Sequence, residues 1–125
     1  MGSEMCIRDR KEKALWRYSR LLGVNFQLID DLSELAESEL SQHELDVNPW
    51  LRFGNESLQE TSRGLSEFAR LSGELKLNNT DKIVADYYGK MLSIIEPNLK
   101  TINGHLKGKL DLAPVILMMK TFGNV

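Results

Sequence analysis

The chain has 125 residues, enough for one domain with a buried core, and its 42% hydrophobic and 27% charged content is that of a folded globular protein. The 16 basic and 18 acidic residues leave a net charge of -2, which excludes the basic surplus of a nucleic-acid-binding surface. A single cysteine excludes a disulfide framework, and the longest apolar run, Ala113 to Met119, falls far short of the roughly 20 residues of a membrane span.

In chain order, residues 1–10 stand apart. Met5-Cys6-Ile7-Arg8-Asp9-Arg10 resembles the translation of a transposon-derived sequencing adapter, the alternative being a genuine polar N-terminus. On the first reading residues 1–10 pack against nothing, and residues 11–125 form a single all-α domain that is a fragment of a longer protein.

A first helix is expected from about Glu12 to Leu40. Leu15, Tyr18, Leu22, Phe26, Ile29, Leu32 and Ala36 recur at the helical period, while Arg20, Gly23, Gln27, Asp30, Asp31 and Glu34 gather on the opposite stripe. Ser41 to Asn55 breaks the pattern, with Asn48-Pro49 and Gly54-Asn55 as turn signals. Asn55 is the expected cap of a second helix, Glu56 to Leu75, with Leu58, Leu65, Phe68, Ala69 and Leu75 inward. Asn78-Asn79 reads as a loop, and Thr80 with Asp81 as the start of a third helix burying Ile83, Val84, Tyr87, Tyr88, Met91, Leu92 and Ile95. Pro97 kinks that helix or begins the next, and Pro114 suits the first turn of a short last helix that is apolar on all sides. The expected fold is an all-α helical bundle.

Asp30 and Asp31 are adjacent, and Glu34 follows one helical turn later. As bare carboxylates, together with Glu37 and Glu39, they read first as a solvated acidic face. Oxygen ligands on one stripe also suit Mg²⁺, which is usually held by one or two carboxylates plus waters and substrate phosphates. Asp30 and Glu34 could each present one oxygen, with Asp31 behind them.

The run Gly23-Val24-Asn25-Phe26-Gln27-Leu28-Ile29-Asp30-Asp31 resembles the second aspartate-rich segment of the trans-isoprenyl diphosphate synthases, the polyprenyl synthetase family. Leu15-Trp16-Arg17-Tyr18-Ser19-Arg20-Leu21-Leu22-Gly23 is similar to the family's approach to that motif, so the resemblance covers roughly Ala14 to Leu35. It implies the C-terminal part of an isoprenoid-synthase-type bundle and a cytoplasmic, Mg²⁺-dependent prenyltransferase. That enzyme would condense an allylic diphosphate with isopentenyl diphosphate. By the same resemblance Asp30, Asp31 and Glu34 hold metal, and Phe26 and Gln27 shape the substrate pocket; no residue is assigned to the chemical step itself.

The chain also departs from the family. Glu34 stands where the third aspartate is usual, no lysine occurs between Asp31 and Lys76, and the first aspartate-rich segment is absent. Gly108-Lys109 with Leu112-Ala113-Pro114 is similar to a later family segment, but much farther along the chain than the family has it. The expected partners are isoprenoid diphosphates and a second copy or a missing N-terminal half. The rival reading is a non-enzymatic helical interaction module with a solvated acidic face.

His43 and His105 lack metal-ligand spacing with another histidine or cysteine, and no phosphate loop or nucleophile elbow is present. Trp50, beside Pro49, is expected to anchor its loop to the bundle.

Overall fold

The computed structural model describes residues 2–123, with side chains described for 8–122. The described chain is all-α: α1 (Gly2–Glu34), α2 (Gln42–Val47), α3 (Pro49–Arg52), α4 (Gly54–Leu75), α5 (Asn78–Ile95), a 3₁₀ turn (Glu96–Asn98), α6 (Leu99–His105) and α7 (Ala113–Gly123). No strand occurs among the described residues. Helix α1 runs through the segment set apart by its composition. Arg8, Asp9 and Arg10 are exposed there, whereas Met1, Cys6 and the other side chains before Arg8 lie outside the description.

Helix α1 packs on α4 and α5, and α7 closes the bundle against α4 and α5. Cross-helix contacts fix the directions. Tyr18 stacks on Phe68 at 4.6 Å, while Asn25, farther along α1, meets the earlier α4 residue Gly64, so α1 and α4 are antiparallel. Tyr18 donates to Asp81 and Phe26 packs on Tyr87, so α1 and α5 run the same way. The aromatic layer of Tyr18, Phe68, Tyr88 and Phe122 joins α1, α4, α5 and α7, with Phe122 ring centroids 5.4 Å from both Phe68 and Tyr88.

The turn between α1 and α4 is more ordered than its sequence suggests. Ser41 caps α2 by accepting from the Glu44 amide, the first half of a Ser-x-x-Glu capping box. Asn48 caps α3, where Pro49 takes the first helical position. The expected Asn55 and Thr80 caps are corrected. Helix α4 already starts at Gly54 and α5 at Asn78, and neither Phe53 nor Leu77 at the cap position gives a side-chain hydrogen bond. Gly54 packs on Leu110, so tertiary contact rather than capping fixes that start: a Cβ there would lie 3.1 Å from Leu110 Cδ1.

Most of the expected core is present, with three exceptions. Leu15 is 47% exposed, Ile83 is 66% exposed and Ala69 is exposed. The buried stripe of α5 is Val84, Tyr88, Met91, Leu92 and Ile95, and Ile83 sits off that stripe. Helix α7 buries Val115, Ile116 and Met119 and leaves Leu117 in solvent, while Lys120 and Thr121 give its last turns the polar face that the apolar run lacks.

Candidate functional site

The polar stripe of α1 lies on the surface as its period demands. Gly23, Gln27, Asp30 and Glu34 are exposed and Asp31 is half-buried. Gln27 Nε2 donates to both Asp31 carboxylate oxygens, at 3.2 and 3.3 Å, so the glutamine orients the aspartate one turn on. Phe26 turns the other way, half-buried, with its ring centroid 4.1 Å from that of Tyr87. The Tyr87 hydroxyl donates to the Phe26 carbonyl at 3.3 Å.

A second element reaches the same place. Asn48, buried between α2 and α3, donates through Nδ2 to the Asp31 carbonyl at 2.8 Å and to Glu44 Oε2 at 3.0 Å. One carboxamide thus ties down an end carbonyl of α1 and holds a further carboxylate near Asp31 and Glu34. His105, at the end of α6, bonds through Nε2 to the Glu37 carbonyl at 2.8 Å. The Lys107-Gly108-Lys109 turn that follows is thereby brought to the end of the bundle where α1 finishes. Lys107 and Lys109 line a recess beside Trp50, Gly54 and Leu110.

The electrostatics of this end are one-sided. The ion pairs among the described residues join Arg17 and Arg70 to Glu67, Arg70 to Glu74 and Lys120 to Glu96, and none includes Asp30, Asp31, Glu34 or Glu44. Helix α1 has no basic residue in its last turn, where the dipole leaves partial negative charge and carboxylates are disfavoured. Burial raises the Asp31 carboxyl above the ordinary value, and Asp30 and Glu44 push it further against the pull of the Gln27 hydrogen bond. Glu34 is raised by desolvation, then by Glu44, Asp30, Asp31 and Glu37. Tyr87 is pushed up to about 12 by burial and by the charges of Asp30 and Asp31.

Raised carboxyl values mean that the folded chain holds these protons more tightly than the unfolded chain. The stability they contribute is full at acid pH and falls as pH rises from about 4 through the raised folded values. Glu34→Gln should therefore raise the unfolding temperature at pH 7 and leave it nearly unchanged at acid pH. The expected gain is about 0.2–0.5 kcal/mol, the size of a like-charge helical pair, and it should shrink in high salt. Thermal unfolding of the two proteins across pH checks this; a lower melting temperature for Glu34→Gln at pH 7 would mean that Glu34 has a favourable partner.

Among the described residues no three carboxylate, imidazole or thiol side chains converge closely enough to cage a metal ion. Asp30, Asp31 and Glu34 share one helical end without meeting at a single point. The donor set is nonetheless oxygen-only and lacks a paired cation, which fits a hard cation whose shell is completed by a ligand's own oxygens.

Glu44, Asn48 and Tyr87 were not legible as parts of this site. Ser41 and Glu44 at capping-box spacing carried the one available signal, for the helix that presents Glu44. Family models, curated proteins and solved structures were all compared with the chain, and none matches it.

Proposed function

We propose that the C-terminal turn of α1 is the carboxylate half of a Mg²⁺–diphosphate site, in the C-terminal part of a prenyltransferase that joins an allylic diphosphate to isopentenyl diphosphate. The observation that carries this reading is the acidic end of α1: Asp30, Asp31 and Glu34 stand where the helix dipole opposes them, and no ion pair among the described residues offsets them. Local rules broken without an evident structural gain are the mark of a functional site. The F-Q-x-x-D-D resemblance over Phe26 to Asp31 supplies the identity of the ligand.

Asp30 and Glu34, both exposed, would hold the cation, and Asp31 is oriented behind them by Gln27. Bound Mg²⁺ would neutralise charge on the leaving diphosphate. Phe26, set against Tyr87, would give the site an apolar flank. The Lys107-Gly108-Lys109 turn, brought to this end by the His105 bond to Glu37, supports the reading by offering cations that could face a diphosphate.

The rival, a helical interaction module, has its own observation. Leu117 is 65% exposed beside Met118 and Phe122, which line a groove with α4 and α5.

Thermal unfolding with Mg²⁺, with inorganic diphosphate and with both separates the two. The carboxylate-site reading predicts a clear rise in melting temperature with both ligands and little with Mg²⁺ alone, because two carboxylates hold this ion weakly without phosphate oxygens. Asp30→Ala should abolish the rise. Its ligand-free stability should change by no more than about 0.5 kcal/mol, as expected for an exposed side chain. An equal rise in Asp30→Ala, or none in the wild type, would favour the module.

A further inference from the structure

A polar layer crosses the apolar core in the C-terminal third of α1. Asn25, Thr61 and Tyr88 are all fully buried, one on each of α1, α4 and α5. Among the described residues, Asn25 Oδ1 and Nδ2, the Thr61 hydroxyl and the Tyr88 hydroxyl each find no hydrogen-bond partner.

The four atoms belong together. Asn25 Oδ1 fills the space that a Cβ on Gly64 would take, and Thr61 lies one turn before Gly64 on the same buried face of α4. Asn25 is also close enough to the Tyr88 phenol to offset part of the rise that burial imposes on it, although the pair falls short of hydrogen-bond geometry. Thr61 sits inside a helix, where its hydroxyl could bond the carbonyl one turn back, and it does not do so.

A buried polar atom left unpaired loses its hydration without compensation, so four in one layer is far more than a core with ample apolar alternatives would keep. We propose that Asn25, Thr61 and Tyr88 form a built site for an internal water molecule that bridges α1, α4 and α5. The guest must both donate and accept, since the layer offers an amide donor, a carbonyl acceptor and two hydroxyls that do either. A charged guest is excluded because the buried polar side chains among the described residues, Asn25, Asn48, Ser57 and Thr61, carry no charge to offset its desolvation. Internal waters typically make about three hydrogen bonds, a number that these three residues can supply.

The layer also lies next to the carboxylate end. Asn25 and Tyr88 face each other inside the core, and the rings of their half-buried chain neighbours Phe26 and Tyr87 meet at a tilt beside them. The water would therefore hold α1 and α5 together immediately before the turn that carries Asp30 and Asp31. This inference does not depend on the diphosphate reading.

The test uses the intact chain and its water. In NMR, a long-lived internal water gives cross-relaxation peaks to nearby protons with the sign of a slowly tumbling partner. The Asn25 side-chain amide protons should show such peaks in the wild type. Thr61→Val and Tyr88→Phe each remove a hydroxyl with little change of shape, and each should weaken or abolish them while spectral dispersion shows a folded chain. Two results would overturn the proposal: no water peak at Asn25 in the folded wild type, or peaks unchanged in both variants. The first would mean that Asn25, Thr61 and Tyr88 bond one another directly.

Discussion

Trp50→Ala should destabilise the protein by about 3–5 kcal/mol, the range for deleting a large buried aromatic side chain. Trp50 is 1% exposed, and its indole Nε1 donates to the Leu28 carbonyl at 2.8 Å. Its backbone amide donates to Asn48 Oδ1, the side-chain atom that caps α3. The substitution therefore opens a cavity and removes the indole hydrogen bond to an α1 carbonyl, and the loss is a large fraction of a typical domain's 5–15 kcal/mol. Trp50→Phe separates them, because it keeps most of the volume and loses the indole N–H. Denaturant unfolding should place Trp50→Phe between the wild type and Trp50→Ala. A loss below about 1 kcal/mol for Trp50→Ala would show that the α2–α3 segment does not contribute to the cooperative core.

Gly64→Ala should also be destabilising, although an alanine inside a helix is normally better than glycine by about 1 kcal/mol. The reason is local. The new methyl group would collide with the Asn25 carboxamide, which is fully buried and has little room to retreat. Overpacking of this kind costs about 1–3 kcal/mol, enough to reverse the propensity gain. Asn25→Ala in the same chain should relieve the collision, so the double variant should be more stable than the sum of the two single effects predicts. Additive effects would mean that Asn25 moves aside freely and that the close approach of α1 to α4 is not fixed by Gly64.

The sequence makes the surface of α1 legible better than its depth. The helical period correctly separates Gln27, Asp30 and Glu34 from Ile29 and Leu32, because one face must pack and the other must not. It overstates Leu15, since a period identifies a stripe without telling how far along the helix a neighbour covers it. Asn25 escapes the same logic. A carboxamide in the core is kept by what surrounds it, and Gly64, which makes room for it, lies on another helix. Glu44 and Asn48 reach the end of α1 from α2 and the start of α3, and no spacing within α1 foretells that. The short last helix was legible from Pro114 and its apolar run, but the solvent position of Leu117 depends on where α4 and α5 stop covering it.

On the proposed function, the acidic end of α1 takes up Mg²⁺ and diphosphate together. Amide NMR shifts recorded during titration with Mg²⁺ and inorganic diphosphate test it residue by residue. Saturable shifts should concentrate at Gln27 to Glu34, extend to Glu44 and to the Lys107–Lys109 turn, and be lost in Asp30→Ala. Shifts scattered over the surface, or saturable shifts that persist unchanged in Asp30→Ala, would contradict it.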